Sequence, residues 1–182
     1  RGLEILEPLP RTPERTLRTI RLCLSLGSSL EPARGWGDPQ IERVYERARR
    51  LSEESEDRVQ LFQALVGLTP TYLGQLRLDR AEETTRRIRD LAGDMPIPSF
   101  AFTASLFSGM IRYRVGRLAD ARADLEHAAS LEDIPLPAVS LDLHAVVRTN
   151  LAFVLQCQGH PDQARMRLGE AANRAAATDR PF

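Results

Sequence analysis

The sequence predicts an all-α chain built as a series of stacked helical hairpins. Apolar residues recur at helical spacing with almost no strand signal, and a short phrase of small and apolar residues returns at intervals of 40 and 43 positions. Between these periodic stretches, Pro, Gly, Asp and Ser collect in loops.

The phrase is clearest in residues 115–128, VGRLADARADLEHA, and in residues 158–171, QGHPDQARMRLGEA. Ala121 and Ala164 align, and stepping back by 40 reaches Ala81 and then Ile41. Four residues past these anchors stand Tyr45, Thr85, Leu125 and Leu168, and seven past them Ala48, Ile88, Ala128 and Ala171. Offsets of four and seven share one helical face, so each anchor opens an amphipathic helix.

In chain order, a helix is expected over 14–30 and a second over 38–54, with Pro39 near its start, where a missing N–H is harmless. The acidic run SEESED at 52–57 reads as a solvated loop that caps the third helix, 57–76, through Ser55 or Asp57. Pro70 falls inside that helix and should kink it. A fourth helix spans 78–92. The fifth, 98–115, buries Phe102, Leu106, Ile111 and Val115 and closes at Gly116; the sixth spans 118–131. The seventh, 137–158, buries Val147, Leu151, Val154 and Leu155 and closes at Gly159; the eighth, 161–177, starts at Pro161. Both glycines stand where a left-handed residue ends a helix. A remnant helix over 1–7 would complete an earlier unit. The organisation is then 1–13 as the end of a preceding repeat and linker, with repeats at 14–54, 55–93, 94–133 and 134–182 in one continuous repeat domain.

Composition narrows the function classes. The 182 residues carry 25 basic and 25 acidic side chains, and every basic one is Arg, so nothing draws the chain to nucleic acid or an anionic membrane. Hydrophobic content of 42% with 27% charge suits a folded soluble chain. No stretch approaches the roughly 20 apolar residues of a membrane helix, and RGLEILEPLP has no signal-peptide pattern. The abrupt ends, without an initiating Met, read as those of a piece of a longer protein. Cys23 and Cys157 sit in apolar helical runs and read as buried reduced thiols, which fits a cytoplasmic location.

Gly109, Gly116, Ala121, Leu125 and Ala128 resemble the tetratricopeptide repeat pattern, as do Ala152, Gly159, Ala164, Leu168 and Ala171. In that family a small residue on the first helix of a hairpin meets a small residue on the second, so that the axes approach closely. The resemblance implies an α-solenoid of about four hairpins in a right-handed superhelix, with Gly109 facing Ala121 and Ala152 facing Ala164. The departures are a repeat longer than the family's roughly 34 residues, assigned to longer loops between hairpins, and Thr69 and Leu76 where small or turn residues are expected. A longer turn around Gly35, Trp36 and Gly37, with Trp36 packed, is the third.

A narrower resemblance rests on RGLEILEPLPRTPER, LSLGSSLEPARGWGDPQIERVYERARRL, VQLFQALVGL and QGHPDQA. These phrases, in this order, are similar to the repeat region of large bacterial multidomain regulators. There the repeats follow an AAA/STAND-type ATPase, with a class III adenylate/guanylate cyclase or a winged-helix DNA-binding output domain. The resemblance implies a signalling or transcriptional context, and none of that family's catalytic residues maps onto this segment.

The residues supply no catalytic constellation. A P-loop needs a Lys the chain lacks, and no G-x-G-x-x-G follows a strand. His127, His144 and His160 have no metal-spaced partners, and Cys157 near His160 lacks the positioned base and oxyanion donors of a nucleophile. SEESED lacks the spacing of a calcium loop. The Arg-rich ERARR (46–50) and TRRIRD (85–90) interleave with acids and read as exposed faces with local ion pairs. No catalytic, metal or cofactor site is expected.

What remains is a groove formed by first-helix residues facing away from the second helix. The candidates are Gln63, Val66 and Leu73 in the second unit; Met110, Tyr113 and Arg114 in the third; and Val146, Thr149, Phe153 and Gln156 in the fourth. A shallow, partly apolar groove suits an extended peptide or partner helix, or covers an interface with other domains of the parent chain. The expectation is a non-enzymatic interaction or sensing scaffold whose partner is a protein or peptide, with a homodimer through an end unit as a further option. The alternatives are a small-molecule effector sensor, or a fragment assisting an ATPase or cyclase site in trans.

Overall fold

The computed structural model describes residues 12–131 and 142–178, together with Ile5, Pro8, Pro10 and Ile134. Apart from Ile5, the expected helix over 1–7 lies outside the described residues, as does the expected first turn of the seventh helix, 137–141. Among those described there are eight α-helices and no strand: α1 (Pro13–Arg34), α2 (Pro39–Glu54), α3 (Arg58–Gly74), α4 (Leu78–Asp94), α5 (Pro98–Arg114), α6 (Leu118–Ser130), α7 (Leu143–Cys157) and α8 (Pro161–Thr178). The chain divides into two compact units after Leu91.

Helix starts follow the chemistry of orphan N–H groups. Thr12 caps α1 by accepting from Arg15 N at 3.2 Å, and Asp38 caps α2 by accepting from Gln40 N at 2.6 Å. Asp57, not Ser55, caps α3 by accepting from Gln60 N at 3.0 Å. Pro13, Pro39 and Pro98 occupy first-turn positions.

Four turns share one hydrogen-bond pattern. The residue two past the helix end bonds back three residues, and the next bonds back five: Glu56 N to Glu53 O with Asp57 N to Ser52 O, and Leu76 N to Leu73 O with Arg77 N to Tyr72 O. In the second unit, Gly116 N to Tyr113 O with Arg117 N to Arg112 O, and Gly159 N to Gln156 O with His160 N to Leu155 O, repeat it. The central residue must be left-handed, and φ is 55° at Glu56, 59° at Leu76, 79° at Gly116 and 81° at Gly159. Leu76 therefore holds a conformation that costs a side-chain-bearing residue about 1–2 kcal/mol. It is 84% exposed, so its side chain returns little burial. Leu76→Gly is expected to raise stability by about 0.5–1 kcal/mol, the relieved strain less the entropy of a more flexible unfolded chain. A lower denaturation midpoint for the variant would contradict this.

Two loop expectations need correction. The α2–α3 connection is only Ser55–Asp57, because the first half of SEESED, Ser52–Glu54, is helical: Ser52 is fully buried, and Glu53 pairs with Arg49 of its own helix at 2.7 Å and with Arg87 of α4. Repeat length thus resides here in longer helices. Likewise α1 runs through Pro32 to Arg34, its last turn closed by Gly35 N donating to Glu31 O at 2.9 Å. Pro32 lies at the exposed surface, where a helix carbonyl left without its N–H partner costs less than in the core. Trp36 is turned outward, 42% exposed, and is not packed. α3 continues without interruption past Pro70.

In the first unit α2 packs between α1 and α3, which also touch each other. The crossing is organised by Tyr45 of α2, whose ring lies against the backbones of Gly27 in α1 and Gly67 in α3. A Cβ on Gly27 would stand 2.7 Å from ring Cε1, and one on Gly67 would stand 2.6 Å from Cε2. The Tyr45 hydroxyl donates to Glu31 Oε1 at 2.6 Å. Further polar ties run from Tyr72 Oη to Glu46 Oε1 at 2.7 Å and from Arg77 to Glu42 at 2.8 Å. With Arg87 of the 85–90 stretch paired to Glu53 of α2, that Arg-rich face carries a pair between helices as well as local ones.

In the second unit α5 packs on α6, α6 on α7 and α7 on α8, with α5 and α7 touching. Gly109 meets α6 as the sequence requires. A Cβ there would lie 2.5 Å from Leu125 Cγ and 3.2 Å from Ala121 O, so the absent side chain sets the helix separation. Ala152 and Ala164 are both buried on the packed α7 and α8.

Candidate functional site

The predicted groove residues divide sharply once placed. In the first unit, Leu73 is 8% exposed and belongs to the interior of α3, while Gln63 is exposed and Val66 half-buried. In the second unit, Met110 is also 8% exposed and faces the core. Leu73 and Met110 are therefore corrected from groove to core residues. Both α3 and α5 are buried around most of their circumference, so the helical register alone does not say which few positions stay open.

The remaining second-unit residues form a patch along α5 and α7. Tyr113 of α5 and Phe153 of α7 stack with ring centroids 6.4 Å apart and planes inclined by 24°. Phe153 is 46% exposed and Tyr113 is partly exposed, so two aromatic rings are held together and open to solvent. Around them lie the exposed Arg114 and Gln156 and the half-buried Val146 and Thr149. The Arg114 guanidinium is folded back to donate to Met110 O at 3.1 Å, and the Thr149 hydroxyl donates to Ala145 O at 2.9 Å. These two polar groups are thereby turned toward their own helices.

One member of the patch was placed elsewhere by the sequence. Cys157 is exposed, not buried, and its Sγ lies 4.0 Å from Tyr113 Oη. It follows Phe153 by four residues, a spacing that puts both on one helical face and could have located it. The thiol contact, with partial burial behind it, raises the Tyr113 phenol above its ordinary range. Cys23 is buried as expected, and burial raises its thiol.

The patch thus brings together two aromatic rings, a thiol, the Arg114 guanidinium and amide or hydroxyl groups. Among the described residues no group of three or more His, Cys, Asp or Glu is placed to hold a metal, and no helix is long and apolar enough to cross a membrane. Ser105 Oγ lies 2.9 Å from His127 Nδ1, an exposed pairing of α5 with α6 away from the aromatic patch.

No family model matches the chain, and no curated protein does. A crystal structure of BtubC (BKLC) from P. vanneervenii is similar over 98% of this chain and 89% of that one, at 15% identity and a TM-score of 0.45.

Proposed function

We propose that this chain is a non-enzymatic interaction scaffold of the tetratricopeptide type, with about four hairpins in a right-handed superhelix. Its place is the cytoplasmic repeat segment of a larger bacterial signalling or transcriptional regulator that carries an AAA/STAND-type ATPase. It docks a protein or peptide segment, including other domains of the parent chain, on the α5–α7 face. The open Tyr113–Phe153 stack carries this reading. Rigid aromatic side chains with little entropy to lose are the usual anchors of protein interfaces, and here one is already held against the other before any partner arrives. The exposed Gln156 and Arg114 supply a polar rim.

Selection of a displayed peptide library on the 1–182 chain tests this directly. Enriched peptides are expected to lose affinity by about 30-fold when Tyr113 and Phe153 are both changed to Ala, the loss of one interface anchor pair. Circular dichroism would check that the variant keeps its helix content. Peptides that bind the variant as tightly as the parent, or a library that never enriches, would overturn the assignment.

A further inference from the structure

The outer side of α7 and α8 carries a second feature, independent of the aromatic patch. Arg148 of α7 and Arg167, Glu170, Asn173 and Arg174 of α8 line a cleft of about 400 Å³. All of these described lining side chains are charged or polar, with the aliphatic stems of the arginines between their heads. Arg148 is nearly buried, its side chain 10% exposed, and donates from Nη1 to His144 O at 3.1 Å. Its Nε lies 3.6 Å from Glu170, a carboxylate that Arg167 holds more closely at 2.9 Å. Arg174 pairs with Asp142 at 3.0 Å, and Asp142 is also engaged by His144 N and Ala145 N at the start of α7.

Three guanidiniums are thus gathered around one cleft, with Glu170 in its wall and Asp142 at its edge. Among these described groups three guanidiniums face two carboxylates, and the Asn173 amide adds further hydrogen-bonding capacity. Forked guanidiniums converging on a polar cleft match the paired oxygens of a phosphate or carboxylate. The Glu170 carboxylate opposes an anion, but it also holds Arg167 and Arg148 side by side. We infer that this cleft binds a small oxyanion-bearing solute, a phosphoryl or carboxylate compound, through Arg148, Arg167 and Arg174.

Isothermal titration of the 1–182 chain with inorganic phosphate and, separately, with succinate tests this, at ionic strength held constant with chloride. Saturable binding of either anion is expected. Phosphate alone would identify a phosphoryl ligand, succinate alone a carboxylate one, and both together an oxyanion site without that preference. Arg148 is too buried to be a clean variant, so Arg167→Ala serves. It should weaken binding by about tenfold or more, as expected for one lost charged hydrogen-bonding partner. Arg165→Ala removes an exposed Arg on the same helix that pairs only with Asp162 among the contacts described, and should leave affinity unchanged. No saturable binding of either anion, or binding indifferent to Arg167→Ala, would overturn the inference.

Discussion

Gly67→Ala is expected to destabilise the first unit by about 2 kcal/mol, although helix propensity alone would favour Ala by about 1 kcal/mol. The reason is Tyr45. Its ring is 4% exposed, and a methyl on Gly67 would fall 2.6 Å from Cε2, inside contact distance. The ring cannot retreat, because Gly27 of α1 bounds its other side, where a Cβ would stand 2.7 Å from Cε1. Its hydroxyl is further fixed by the 2.6 Å bond to Glu31. Overpacking so confined a site costs about 1–3 kcal/mol or somewhat more, which outweighs the propensity gain. Gly27→Ala should behave alike. Chemical denaturation measures both, and an unchanged or raised midpoint would mean that the ring has room the geometry denies it.

The other large effect belongs to the second unit. Asp142→Ala is expected to cost about 3 kcal/mol: about 1 for the cap on α7 and about 2 for a partly buried Arg174 left without its carboxylate. The Asp142 side chain is 5% exposed and accepts from His144 N at 3.0 Å, Ala145 N at 3.2 Å and Arg174 Nε at 3.0 Å. Asp142→Asn keeps an oxygen for the cap and loses only the charge, so about half the effect should remain. Burial pushes the Asp142 carboxyl up, but the Arg174 bond and the two backbone donors outweigh it and hold the acid below its ordinary range. A folded pKa lower than the unfolded one contributes stability that is fully present above the unfolded value, about 3.9, and is lost as pH falls through the lowered folded value. The stability gap between the parent and Asp142→Asn should therefore be flat from neutrality to about pH 5 and close below about pH 4. A gap that widens on acidification would contradict the assignment.

The parts of this fold written in local sequence were legible in it. Eight helices follow from periodicity and from Pro, Gly and Asp at their ends, and the left-handed Gly116 and Gly159 follow from the repeat phrase. The approach of Gly109 to Ala121 and Leu125 could be read because both sides of the contact recur at fixed offsets. The Tyr45 slot could not: Gly27 and Gly67 lie on two different helices, and nothing local joins them to the ring. The same limit hid which first-helix residues stay open. Leu73 and Met110 share their helical phase with exposed positions, yet neighbouring helices cover them, whereas Cys157 ends an apolar run and is still exposed. Leu76 stands where the repeat pattern expects a turn residue, and the turn imposes its left-handed geometry there whether or not the residue suits it.

The close approach of helices over missing side chains is best tested by measuring Gly67→Ala in two backgrounds. Tyr45→Ala removes the ring and opens the slot. The expected result is a reversal of sign: Gly67→Ala destabilises when Tyr45 is present and stabilises by about 1 kcal/mol when it is absent, as its methyl enters free space and its helix propensity is realised. The same destabilisation in both backgrounds would show that Gly67 is required for some reason other than the ring it faces, and would contradict the packing described.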